Sequence, residues 1–336
     1  MTDHAIISFQ KQPALTASGV VGGNDEHEGP LQAIFDHTYD DLWLGKSSFE
    51  QAQSQMVIDA INYTLEKSAL TKTDIDYIVS GDLINQITPT TFGVKQFNKA
   101  FLGLYSACAT VTESLIVGAL LYNMNEQARI VCGASSHFAT AERQFRFPTE
   151  YGGQIPPTAQ RTVTGAGYAL LKNQAKGPKI TQAVIGRVVD IGETDPFHMG
   201  AAMAPAAVDT ISRYFKANGD DPNSFDYIVT GDLGRIGSQI AYDDLLQEGV
   251  KLDREKFLDC GKLIFNESQN FQAGGSGAGC PAVVMLGYFL PLLTQKKVKK
   301  VMLVATGALQ SSLSVQQKLS IPAIAHAIVL EVKESA

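Results

Sequence analysis

The residue with the clearest chemical potential is Cys108. It closes the apolar run 101–108, and a segment with helical character, 109–124, follows it directly. A thiol at a helix N-terminus faces unpaired backbone N–H groups and the positive end of the dipole, which favour thiolate and anions in general. Such a thiol suits a nucleophile, and the same donors suit an anion site. The competing role is that of a small buried hydrophobe, common for free Cys. The other thiols, Cys132, Cys260 and Cys280, form no CxxC spacing with it or with each other. That pattern fits free thiols in a reducing compartment rather than a disulfide framework or a zinc site.

Two carboxylates also stand out. Asp82 and Asp232 each follow a Gly at the end of an apolar strand-like run. Open α/β sheets present ligands at such places, and an Asp there serves equally as a turn or helix cap. No EF-hand spacing for calcium is present. The run GGSGAG at 274–279 matches neither GxGxxG nor a P-loop, so it reads as close packing and a backbone nest at a helix start.

The elements that must position these groups come twice. DYIVSGDL at 76–83 recurs as DYIVTGDL at 226–233, an offset of 150 with one residue changed. A helix precedes each copy, over 48–67 with Ser48 as N-cap and Met56, Ile58, Ala60, Ile61 and Leu65 inward, and over 201–216. A further helix is expected over 90–99. After each copy a small-residue turn leads into an all-apolar helix, 106–122 and then 276–293. Each of those precedes an apolar strand, 130–134 and 301–305, and each half closes on another, 162–171 and 324–331. A repeat of this length is an architectural statement. Alternating strands and helices predict a mainly parallel sheet in each half. Helices without a wet side belong in the interior. The expected fold is α/β, five layers in the order αβαβα, with halves 1–175 and 176–336 related by a pseudo-twofold.

Composition fits this reading and removes others. Acidic residues outnumber basic ones 34 to 27, a net charge of −7, and no clustered basic surface for nucleic acid is visible. The N-terminal residues lack a signal-peptide core. The apolar run 278–293 is shorter than a bilayer span and reads as a buried helix. A cytoplasmic-type soluble chain is expected.

The paired halves, Cys108 in YSACATVTESL, TGAGYAL at 164–170 and TGA at 306–308 resemble the thiolase and ketoacyl-synthase superfamily along essentially the whole chain. Longer motifs narrow the likeness: GPL at 29–31, FDHTYD at 35–40, AERQFRFPTEYGGQ at 141–154, GRVVD at 186–190 and MGAAMAPAA at 199–207. Together they resemble the stage V sporulation protein AD family of spore-forming bacteria. The resemblance implies binding of dipicolinic acid (pyridine-2,6-dicarboxylate), in support of its transport into the developing spore and release in germination. It further implies membrane proteins of the same sporulation complex as partners, peripheral association with the spore inner membrane through them, calcium as a companion of the ligand, and a homodimer.

Acyl transfer on this fold needs a His beside the thiol and an oxyanion hole. Where thiolases carry Gly-His-Pro, this chain has Gly279-Cys280-Pro281, and the ketoacyl-synthase His loop reads GRIGSQ at 234–239. Of six His, His326 in the last strand is best placed to approach Cys108. The incomplete set points to binding. The alternative is an acyl-CoA or acyl-carrier condensing enzyme using Cys108, with CoA only in that case; otherwise no cofactor or metal is expected. For the flat dianion the candidate contacts are Cys108, His326, Asp82, Arg143, Arg146 and Arg187, with Arg235 as a further fork and Phe145, Phe147 and Tyr151 as walls. Each Arg could instead serve a surface salt bridge.

Overall fold

A computed structural model of the chain describes residues 3–145 and 156–332. Ten strands carry the architecture. In the first half they are β1 (Ala14–Gly22), β2 (Tyr77–Gly81), β3 (Ala100–Gly103), β4 (Ile130–Ser136) and β5 (Gly165–Lys172). In the second they are β6 (Lys179–Val184), β7 (Tyr227–Thr230), β8 (Phe257–Asp259), β9 (Lys300–Ala308) and β10 (Ala323–Glu331).

The two halves repeat in topology as well as in sequence. The first runs β3-β2-β4-β5-β1 and the second β8-β7-β9-β10-β6, the same order of equivalent strands. In each, the second strand is parallel to both its neighbours, and the fifth is antiparallel to both of its own. The halves join in one sheet through Ala14, which pairs with Lys179. The inner strands are buried on both faces, so β4 reads IVCGASS with every residue buried.

Helix α1 (Phe49–Lys67) packs outside β1 and β5, and α3 (Met199–Asn218) lies outside β9 and β10. Ser48 caps α1 by accepting from the Gln51 N–H at 3.3 Å. Met56, Ala60, Ile61 and Leu65 face inward as expected, whereas Ile58 is only half-buried and Val57 takes the inner place. Helix α2 (Thr110–Met124) touches β2, β4 and β5 of one half and β9 and β10 of the other. It therefore lies between the halves, as its all-round apolarity requires. Together with the turn ahead of it, it forms the one segment among the described residues long and apolar enough to span a membrane, Ala107–Met124, 67% of it buried. The second central helix, α4 (Gly279–Thr294), carries a π turn over Met285–Phe289. The expected helix over 90–99 is shorter: it covers Thr88–Val94 and ends in a 3₁₀ turn at Phe97. Buried side chains fall into three clusters, one between the halves and one under each outer helix.

Candidate ligand-binding site

Cys108 sits in a tight turn between β3 and α2. Ala107 takes the left-handed region, with φ 48, an uncommon conformation for Ala. The turn is closed by the Ala109 N–H on the Ser106 carbonyl (2.9 Å) and by the Thr110 hydroxyl on the Ala107 carbonyl (2.7 Å). Helix α2 starts immediately after it, with no side chain capping its N-terminus. Strand β9 presses on the turn from behind. A Cβ at Gly307 would lie 2.3 Å from the Ser106 carbonyl oxygen, so only glycine permits this approach.

In front of the turn is a narrow cleft, with about 460 Å³ of empty space when the open solvent at its mouth is included. Leu83, Tyr105, Ala107, Cys108, Phe145 and Met199 give it apolar walls. Glu142, Thr162, Ser276 and Gln310 supply the polar groups. Thr162 and Ser276 come from different halves and are brought together by a small parallel pair, Arg161–Thr162 with Gly275–Ser276. Among the described residues no Lys, Arg or His lines this cleft.

His326 lies behind the Cys108 turn and not in the cleft wall. Its Nδ1 accepts the Gly186 N–H at 3.0 Å, and its Nε2 is 3.4 Å from the Ser106 hydroxyl. An acceptor at Nδ1 puts the ring proton on Nε2, so the neutral ring donates toward Ser106. Burial pushes its pKa down to about 4, which keeps it neutral. Ser106 also bonds Glu113 on α2, whose carboxyl is raised by burial. This places a donor, not a base, beside the turn.

The two matching aspartates have diverged. Asp82 is fully buried, and its carboxylate is consumed locally by the Ile84 N–H (2.7 Å), the Thr90 N–H (2.9 Å) and the Thr90 hydroxyl (2.5 Å). Burial raises it to about 6. It holds the loop that brings Leu83 to the cleft. Asp232 instead reaches across the molecule to the Gly277 N–H (2.9 Å), the Thr306 hydroxyl (2.9 Å) and the Cys108 thiol. Gly279 N–H is likewise taken, by Ser136 Oγ at 2.9 Å. The glycine-rich run at 274–279 is thus a nest filled by the protein's own side chains, in line with its reading as packing. Cys280, where thiolases carry His, is buried with its thiol toward the Gly231 carbonyl (3.7 Å).

The arginines are dispersed. Arg143 points away from the cleft and pairs with Glu50. Arg187 is exposed beside Asp3 and Asp209, each 3.8 Å away. Arg235 pairs with Glu267 at 2.9 Å. Arg146, Phe147 and Tyr151 lie outside the described residues. Phe145 lines the cleft. Glu142 and Tyr105 also line the cleft, although neither stands out in the sequence as a site residue. The signal for Glu142 was helical spacing: Ala141, Glu142 and Phe145 share one face of Phe138–Phe145, and Arg143 falls on another.

The topology and the buried Cys turn define a thiolase-like protein. Solved structures agree at the level of the fold. Acat5 thiolase from Ascaris suum in complex with coenzyme A superposes with a TM-score of 0.61 at 10% identity, over 96% of this chain and 100% of that one. The 3-oxoacyl-[acyl-carrier-protein] synthase III from Aquifex aeolicus VF5 gives 0.59 at 13%, over 95% and 99%. Sequence comparison then fixes the family. The stage V sporulation protein AD (SpoVAD) family model matches residues 3–331. Stage V sporulation protein AD of Bacillus subtilis is 43% identical over 323 residues, 96% of this chain and 95% of that protein. The chain belongs to the stage V sporulation protein AD family.

Proposed function

We propose that the cleft beside Cys108 binds dipicolinic acid without transforming it, and that the protein hands this ligand to membrane partners during spore formation and germination. The observation that supports binding over condensation is His326. Held as a neutral Nε2–H donor by the Gly186 N–H, it cannot take a proton from the thiol. Cys108 itself hydrogen-bonds a carboxylate and not an imidazole, and the negative charge of that carboxylate opposes a thiolate beside it. Leu83, Tyr105 and Phe145 suit a flat ring, and the Ala107-Cys108 turn ahead of α2 suits one carboxylate.

Calorimetric titration with dipicolinate tests this reading. Saturable heat with the 2,6-isomer and none with the 3,5-isomer is expected. No heat, or equal heat from both, sinks it. The partnered Arg143 and Arg187 are left out of the proposed contact set.

The reading includes a homodimer. Strand β3 is the outer edge of its sheet, and Leu102, Tyr105 and nearby Phe92 are exposed. An edge of this kind pairs readily with a second copy. Sedimentation should give a dimer that Leu102→Lys dissociates; a monomeric parent protein would refute the pairing.

A further inference from the structure

We propose that Asp232 is a working member of the site: it fixes the Cys108 thiol, and it takes up a proton from solvent when an anion settles against the Cys108 turn. This rests on the reading of the cleft as a carboxylate-binding site.

The first ground is the broken repeat. Asp82 and Asp232 occupy the same place in DYIV(S/T)GDL, yet only Asp82 closes its own loop. In the second half that task falls to Asp259. Its carboxylate accepts the Thr230 hydroxyl (2.7 Å) and the N–H groups of Leu233 (2.9 Å), Gly234 (2.9 Å) and Lys262 (3.2 Å). Asp232 is thereby released from capping. Its bonds run to three separate elements, the α4 turn, the end of β9 and the Cys108 turn of the opposite half. A residue kept only to close a loop would not need that reach.

The second ground is charge. The titratable groups facing Asp232 are Cys108 from the α2 turn, Asp259 from β8, Cys260 beyond it, and Cys280 from α4. No cation acts on Asp232 among the described residues, and Glu142 adds a further carboxyl in the cleft. Asp232 is fully buried, and burial holds its carboxyl up to about 7. A ligand carboxylate against Cys108 places a second anion next to this one in a medium that screens poorly. Such a pair resolves by protonating one member.

The third ground is that the proton has a place to go. The Thr306 hydroxyl donates to Oδ1 of the ionised group at 2.9 Å. A hydroxyl can rotate to accept instead. With the proton on Oδ1, that bond reverses its direction, while the Gly277 N–H keeps its bond to Oδ2. The Thr306–Asp232 contact is thus kept in either state.

The test is titration of the full chain with dipicolinate in buffers of different ionisation enthalpy. Linkage predicts uptake approaching about one proton per ligand at about pH 8, falling toward zero at about pH 6. Affinity should weaken by up to about tenfold per pH unit above neutrality. Asp232→Asn, which copies the protonated shape, should bind with no proton uptake and a flat pH profile. Wild-type binding with no proton uptake and equal affinity at both pH values overturns the proposal and spares the binding reading. A wild-type pH slope retained in Asp232→Asn overturns it too. Absence of binding at every pH overturns both. Should the variant fail to fold, the proton count on the unaltered protein decides alone.

Discussion

Gly307→Ala is expected to weaken ligand binding at least tenfold while leaving the secondary structure in place. The added methyl would lie 2.3 Å from the Ser106 carbonyl oxygen, 3.1 Å from the Ala109 nitrogen and 3.3 Å from the Ala107 Cβ. None of these is the end of a flexible side chain. Gly307 cannot retreat, because it is paired with Ile324 inside a nine-residue ladder. The turn cannot yield freely either, since Ala107 already holds a strained left-handed conformation. One of the two must shift, at a cost of about 1–3 kcal/mol for an overpacked methyl. The shift falls on the turn that presents Ala107 and Cys108 to the cleft. Calorimetric titration should show affinity reduced at least tenfold, a change worth about 1.4 kcal/mol. Thermal unfolding should report a modest loss of stability. Unchanged affinity would show that β9 does not fix the turn.

Glu26 should make the protein less stable as pH rises from mildly acid to mildly alkaline. It lies in the short helix Asn24–His27 and is buried. Its Oε1 accepts the Thr164 N–H at 3.0 Å, and Oε2 finds no hydrogen-bond partner among the described residues. Burial raises its pKa from 4.5 to about 8, with Asp25 adding to the shift. The folded state therefore holds this proton more tightly than the unfolded chain. The stability it confers is complete below pH 4.5 and is lost as pH climbs through about 8. One pKa unit corresponds to about 1.4 kcal/mol, so the full loss is on the order of 3–5 kcal/mol. Asp232, Asp82 and Asp259, raised to about 7, 6 and 6 by burial, act in the same direction over lower windows. Glu26→Gln reproduces the protonated shape and should flatten the slope. Urea unfolding at about pH 6 and about pH 8.5 checks this. The variant is expected to be more stable than the parent at the higher pH, and an equally steep loss in both would refute the assignment.

The large elements were legible because their causes are local. Apolar runs at 78–79 and 130–134 had to be strands buried on both faces, and the apolarity of 110–124 had to place that helix between layers. The repeated octapeptide announced two halves of one topology, and the strand orders match it. Even the position of Cys108 at a strand-to-helix turn follows from where the apolar pattern changes period.

The site was only partly legible. His326 lies behind the Cys108 turn, and whether it acts as base or donor depends on a backbone N–H 140 residues away in sequence. Arg143 looked like a fork for an anion, yet the helical phase of Phe138–Phe145 gives the cleft to Glu142 and Phe145 and gives Arg143 to Glu50. Arg187 was equally suggestive and is spent on Asp3 and Asp209.

By itself the sequence determined the two-fold α/β architecture, the central place of α2 and the Cys108 turn. Those follow from periodicity and burial along continuous stretches of chain. Tertiary structure alone decided the division of labour between Asp82 and Asp232. The two sit in nearly identical octapeptides, and nothing local distinguishes them. Asp82 meets Thr90 in its own loop, whereas Asp232 finds Asp259 already capping and turns to Gly277, Thr306 and Cys108. A carboxylate takes the donors that packing brings within reach, and those donors are set by contacts between distant segments.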